Sequence, residues 1–323
     1  MKATRSLPLA FAALLLGHTA ASAGLFQPGE ILVGKFRSVQ SYSAAGALEH
    51  TYSGTNGGFW GGASLTPDGN LVTSWRFSPN AGIEIFNPTG TQITAFSVAN
   101  YGSAVGDVSV FADGTLALVD RINSNVKFLS QSGTLLNTVS LTTTSPFGIS
   151  SGIAPFGSTV GTDNNLYVVS GTSSWMAKVN ESGTVLGMIH LSFQPGDLVM
   201  SPTDGTLWVS VRDTALIEHI TTDGTVLGSV ASGLAIAPGA QFNGLGIAPD
   251  GNSLYAMTTS STVIRHLDLN GNQLGDITIA SPDSENFLTV VPNSVPEPGN
   301  AGIVMAFCLG AVVLLGRAPR PLR

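Results

Sequence analysis

Four side chains with oxygen donors, Asp107, Asp197, Asn243 and Asn286, recur at matched places in a repeating sequence. Hard cations need several oxygen ligands converging on one point, so this set could hold Ca2+ or Zn2+ if the fold gathered it. Alignment of the repeats on Asn243 puts Gly61, Gly106, Ile149, Gly196 and Asn286 at the same position. The next position carries Gly62, Asp107, Ser150, Asp197, Gly244 and Phe287. The set is loose, and acids that merely cap solvated loops would give the same pattern. No Ser-His-Asp order, HExxH, phosphate loop or dinucleotide fingerprint occurs. His219 and His266 occupy equivalent places flanked by alternating apolar residues, which predicts the solvent face of a half-buried strand. Trp60, Trp75, Phe59 and Tyr101 offer either an aromatic ligand platform or packing between repeats.

The elements that must position these residues are short hairpins. Apolar alternation leads into Asp68-Gly69, Asp113-Gly114, Asp163-Asn164 (from a run at 151–155), Asp204-Gly205 and Asp250-Gly251, and a second apolar run follows each turn. A second hairpin follows, turning at Gly90, Gly133, Gly183, Gly224 and Gly271. Asp and Gly or Asn supply the turns, and the flanks show period two. The first turns stand 45, 50, 41 and 46 residues apart. Four short strands every 40–50 residues is the pattern of a β-propeller blade. Residues 31–36, 41–46 and 47–52 give three strands lacking a first one, and residues 287–292 give one strand with nothing after it. One blade is therefore expected to be shared between the two ends. Five whole blades and one shared blade predict an all-β, six-bladed β-propeller over residues 24–294, closed without open sheet edges.

Both ends carry processing signals. Lys2 and Arg5 precede an apolar run over 7–16, and Ala21-Ser22-Ala23 supplies a small-x-small cleavage pattern. Residues 1–23 thus read as a signal peptide, cut by signal peptidase between Ala23 and Gly24. At the other end Pro296-Glu297-Pro298 precedes an apolar span over 301–316 and then Arg317, Arg320 and Arg323. A helix of that span would be short for a ~30 Å hydrocarbon core, and the arginines would hold the tail in the cytoplasm. Residues 295–323 resemble the PEP-CTERM sorting signal of Gram-negative bacteria. The resemblance implies processing by an exosortase-type membrane protease, a transient C-terminal anchor in the inner membrane, and a final location at the cell surface or outside the cell.

Composition sets limits on partners. The 323-residue chain has 10% charged residues, 39 glycines and one cysteine, Cys308, inside the apolar span. A lone Cys excludes an internal disulfide framework and a Cys-rich zinc site. Without its two ends the chain keeps eight basic and 20 acidic residues, a net −12. That sign argues against nucleic acid or an anionic membrane as partner.

The blades are similar to NHL repeats and to SMP-30/gluconolactonase-like propellers. The run Asp113-Gly114-Thr115-Leu116 to Asp120-Arg121 and on to Val126 is the closest copy, and Phe242-Asn243-Gly244-Leu245 matches the Asn-Gly-Leu strand entry of lactonase-like members. These are mainly turn and core positions, so they speak to the fold, and one fold hosts many functions. The expected function is a cell-surface binding or scaffold module for a protein, an exopolysaccharide or a matrix component. The alternative is a metal-dependent lactonase- or lyase-like enzyme working at the channel mouth.

Overall fold

A computed structural model describes residues 26–293, except 36–37, 56–58, 77–80, 99–104, 145–149, 153–154, 238–239, 260 and 280–286. The proposed cleavage site, the sorting motif, the apolar span and the arginine tail lie outside the described residues. Among the described residues no helix is long and apolar enough to cross a membrane.

The turn residues fold as the sequence predicts. Gly69, Gly114, Gly205 and Gly251 take positive φ in the first hairpins, and Asn164 takes φ +54° where blade three lacks the glycine. Asn tolerates this left-handed conformation because its short polar side chain bonds locally. Each hairpin pair builds one antiparallel four-stranded sheet, and six such sheets form. Blades one to five run from inner to outer strand in chain order. Their inner strands are Phe59–Leu65, Val105–Val110, Pro155–Val160, Pro195–Met200 and Gly244–Ile247. Second strands such as Leu116–Asp120 and Leu207–Val211 are wholly buried, whereas outer strands such as Leu135–Ser140 are mostly exposed. The core lies between blades. Phe111 and Val119 of blade two, for example, pack with Leu166 and Val179 of blade three.

The sixth blade is shared. Leu288–Val290 pairs with Ile31–Lys35, which pairs with Ser38–Tyr42 and then Leu48–Ser53. Val33 faces Leu288 and Ile31 faces Val290. Backbone bonds extend the pairing at both ends, from Gly34 N–H to the Phe287 carbonyl (3.1 Å) and between residues 29–30 and Val291 (2.9 Å). Phe287 and Val291 pack toward blade one with Leu32, Tyr52 and Ala63, and Leu288 packs toward blade five with Tyr255 and Met257. The closing strand therefore belongs to both neighbouring interfaces.

Two strand assignments from sequence need correction. The middle strand of blade six is Ser38–Tyr42 rather than 41–46, because residues 43–47 form the turn. Ser43 N–H bonds the Ala47 carbonyl at 2.8 Å, and the Ser43 hydroxyl accepts the Ala47 N–H at 3.1 Å. In blade three the inner strand is Pro155–Val160, not 151–155. Val160 pairs with Leu166, the same six-residue step as Leu65 with Leu71 and Val110 with Leu116. Ser150–Gly152 instead pairs with Thr142–Thr144 as a separate two-stranded ribbon. Ser150 is thus not at the entry of an inner strand, and Gly157 takes its place.

The closing strand needs a glycine opposite it. A Cβ at Gly34 would overlap the Phe287 ring. Overpacking of a filled core costs roughly 1–3 kcal/mol, and Phe→Ala in a core about 3–5. Chemical denaturation should show Gly34→Ala and Phe287→Ala each destabilising, with the double variant clearly less damaged than the sum, because deleting the ring makes room for the new methyl. Additive losses would mean that these residues do not share the closing contact.

Candidate functional site

The inner strands of all six blades line one central cavity of about 640 Å3, with Ala63, Val108, Ser158, Leu198, Leu245 and Leu288 among its walls. Toward one end, the inner strands of blades one to four each carry a bulge, at 60–62, 105–108, 155–158 and 195–198. A bulge re-aims a side chain that would otherwise follow the strand alternation. The residues set by it, in blade order, are Gly62, Asp107, Gly157 and Asp197.

The alternation of Gly and Asp has a steric cause. A Cβ at Gly62 would overlap the Asp107 carboxylate, and one at Gly157 would stand 2.8 Å from Oδ1 of Asp197. Each aspartate therefore leans over a glycine of the preceding blade and reaches to the blade after its own. Asp107 Oδ1 accepts the Val108 N–H at 2.8 Å, and its Oδ2 accepts the Ser158 N–H and hydroxyl, both at 3.0 Å. Asp197 does the same with the Leu198 N–H (2.8 Å) and the Leu245 N–H (3.0 Å). The neighbouring glycines are equally constrained. A Cβ at Gly61 would overlap the Gly106 carbonyl, one at Gly106 would stand 2.6 Å from the Phe156 carbonyl, and one at Gly196 would overlap the Phe242 carbonyl. Glycine at the Asn243-equivalent position thus reflects backbone-to-backbone approach.

Of the four oxygen-donor residues in the sequence pattern, the cavity gathers Asp107, Asp197 and Asn243, while Asn286 lies outside the described residues. Asn243 is buried, its amide donates to Gln241 at 3.2 Å, and its Oδ1 has no hydrogen-bond partner. Burial pushes both carboxyls up. Asp107 rises to about 7, against the pull of its three hydrogen bonds. Asp197 is raised well above the usual range by burial and then by the charge of Asp107. Among the described residues, no three His, Cys, Asp or Glu side chains come together as a metal set. A cation here would have to draw on carboxylates already bonded to backbone amides, with Asn243 Oδ1 as the free donor.

The histidines sit on blade faces. His219 stacks on Trp208 at 4.2 Å and bonds Thr206, and His266 stacks on Tyr255 at 4.3 Å and bonds Ser253. Their matched placement on a half-buried face serves cross-strand stacking. Trp75 is 1% exposed and packs over Gly82, which makes it a packing residue. The side chains of Phe59, Trp60 and Tyr101 lie outside the described residues.

The motif reading missed a cluster at the bulged end of the cavity. Phe156 lines the cavity, and the Arg121 guanidinium lies over its ring at 5.5 Å. Arg212 is 8% exposed and its Nη1 is buried without a hydrogen-bond partner. Burial, and then the charge of Arg121, lower its pKa, with Asp213 acting the other way. A signal was present. Five residues after the leucine that follows each first turn stand Arg76, Arg121, Gly171, Arg212 and Thr259, so three of five blades put arginine there.

The raised Asp107 pKa fixes a pH dependence. Between about pH 4 and 7 the folded protein holds a proton on Asp107 that the unfolded chain lacks, so stability from this group falls as pH rises through that window. His266, held low by burial, acts in the opposite sense below about pH 6.5. Equilibrium denaturation at pH 5.5 and 8 should therefore show a more negative change in the wild type than in Asp107→Asn. Identical changes in the two proteins would place the Asp107 titration elsewhere.

No protein-family model matches the sequence, and no curated protein is found similar to it. Solved structures do match. A Bacteroides caccae protein of unknown function aligns at TM-score 0.63 and 14% identity, over 82% of this chain and 99% of that one. A chain of a nidogen/laminin complex aligns at 0.60 and 12%, over 81% and 97%. Virginiamycin B lyase from Staphylococcus aureus aligns at 0.53 and 15%, over 69% and 71%. At these identities the likeness is one of fold: this chain is a six-bladed β-propeller, similar in architecture to proteins of diverse roles.

Proposed function

We propose that the protein is an exported, exosortase-sorted β-propeller that binds a small or chain-end ligand in its central channel at the cell surface. One observation carries the binding role. Asp107 and Asp197 each spend one carboxylate oxygen on an amide of their own strand and the other on the next blade, so the chemistry-bearing acids of the channel serve as struts. What remains of the wall is apolar residues and hydroxyls, including Ser64, Thr159 and Thr162, while the hydroxyls of Ser109, Ser158 and Thr289 are bonded within the wall and offer a ligand their lone pairs. A cavity of about 640 Å3 falls within the ~300–1,000 Å3 of small-molecule sites, and hydroxyl-rich walls suit a hydroxylated ligand. An exopolysaccharide or matrix component is the partner class that fits this wall and a surface address. Ligand soaking or titration with neutral and acidic saccharides tests it. Binding unchanged by Thr159→Val and Thr162→Val, which alter the wall, would refute the channel as the site.

A second reading has its own support. The unpartnered Oδ1 of Asn243 faces a site with two carboxylates, and a lyase is among the proteins of similar fold. A metal-dependent lactonase- or lyase-like enzyme would show stoichiometric Ca2+ or Zn2+ and turnover of a lactone that disappears in Asn243→Ala. The binding reading expects neither.

The address is the more specific part of the proposal. Pro296, Glu297 and Pro298 stand outside an apolar span with a basic tail, and proline keeps the motif extended and open to a protease. Replacing all three with alanine should leave export intact and block processing, so that uncleaved protein collects in the inner membrane. Fractionation with one epitope after Gly24 and another at Arg323 decides it. Loss of the C-terminal epitope at wild-type efficiency would refute the sorting signal.

A further inference from the structure

The charge lining the channel has one sign. Among the described residues of the cavity wall, Asp107 and Asp197 are the only ones that ionise, with no Lys, Arg or His beside them. Both are partly exposed on that wall, so a group inside the channel can touch them. The charge of Asp107 adds to burial in holding the Asp197 carboxyl well above its usual range. Two acids facing one enclosed space without a counter-charge oppose each other's ionisation.

The same end of the channel has more acceptors than donors. An ionised carboxylate offers about four lone-pair positions. Asp107 fills three of them, with the Val108 N–H and with the N–H and hydroxyl of Ser158. Asp197 fills two, with the Leu198 and Leu245 N–H groups. About three positions therefore remain between the two side chains. Neighbouring hydroxyl protons are already committed. Ser158 donates to Asp107, Ser109 to Ser158 (2.8 Å), and Ser210 to the Phe242 carbonyl (2.8 Å). Asn243, on the wall and 6% exposed, keeps an amide oxygen without a hydrogen-bond partner. That oxygen is itself covered, so it adds negative potential rather than a contact. Carbonyl oxygens of Gly106, Phe156 and Phe242 crowd the same neck.

We propose that Asp107 and Asp197 receive the ammonium group of an amino sugar, free or in a partly de-N-acetylated polysaccharide. The assignment rests on the channel being a ligand site and adds the charge of its ligand. An ammonium brings three donors, as many as the two carboxylates leave unmet, and supplies the missing positive charge. It also suits acids that stay bonded to backbone amides. A Ca2+ ion instead gathers about six to eight oxygens around itself. Among the described residues no three His, Cys, Asp or Glu side chains come together to begin such a shell. Thr159 and Thr162, farther along the wall, then meet the sugar hydroxyls.

Calorimetric titration of the full-length protein at pH 7 and about 0.15 M salt tests this, with D-glucosamine, N-acetyl-D-glucosamine, D-glucose and Ca2+ as probes. Glucosamine should bind at least about tenfold more tightly than either neutral sugar, the worth of one charge-assisted hydrogen bond. Asp107→Asn and Asp197→Asn should each remove that advantage and leave glucose binding unchanged. A second readout uses the wild type alone, and so stands even if a variant fails to fold. Among the described wall residues no other group titrates. Ammonium binding draws both carboxyls toward ionisation, so affinity for glucosamine should rise roughly fivefold or more from pH 5.5 to 7, with proton release. Glucose affinity should stay level over that window. Equal binding of glucosamine and N-acetylglucosamine, or a flat pH profile for glucosamine, refutes the ammonium site while leaving the channel reading intact. Ca2+ that displaces glucosamine one for one assigns the acids to a metal and overturns the ammonium site as well. No binding by any sugar refutes both.

Discussion

Where six inner strands converge, adjacent backbones approach until no Cβ fits between them. Gly61, Gly106 and Gly196 each face the carbonyl of the next blade at that neck, at distances a methyl group would close. Close approach leaves inner-strand amides without their usual partners, and a buried N–H must be satisfied. Asp107 and Asp197 meet the need by reaching across to the amides of Ser158 and Leu245. Where a carboxylate is ionised these bonds are of the stronger, charge-assisted kind, yet burial still leaves both acids raised. The bulges, the Gly–Asp alternation and the raised acidities all follow from this one crowding.

Charge and packing are then divided by position along each blade. The neck is polar and rigid. The blade faces carry aromatic stacks, with Lys178 over Tyr167, His219 on Trp208 and His266 on Tyr255 at one repeated register. Cross-strand pairs of this type stabilise a sheet locally, so they explain the histidines without any chemistry. The shared blade carries the largest entropic burden, since its closing strand lies over 250 residues from its partner along the chain. Phe287, Leu288 and Val291 reward that closure by filling both neighbouring interfaces.

The fold was largely legible in the sequence because turns announce themselves. Asp-Gly pairs at blade spacing, with a strand left over at each end, were enough for six blades and a shared one. Blade three misled because Ile153-Ala154-Pro155 imitates the strand ends of the other blades, whereas register is set by the distance back from Leu166. The site was legible only in part. Asp107 and Asp197 stood out by type, but their role depends on a bulge and on glycines of neighbouring blades, which no spacing rule reports. Arg121 and Arg212 were visible as a repeat position and passed over, since arginine at a strand end is ordinarily a solvated surface residue. Burial of Arg212 beside Gly171 is a tertiary fact.

The channel carboxylates tie the blades together through the Ser158 and Leu245 amides. Amide hydrogen exchange at Ser158 and Leu245, followed with and without added Ca2+ or Zn2+, tests it most directly. The account predicts that both amides are as protected as those of Leu118 and Val209 in the buried second strands, and that neither cation changes them. Fast exchange at Ser158 and Leu245, or protection lost when a cation draws the carboxylates away, would contradict it.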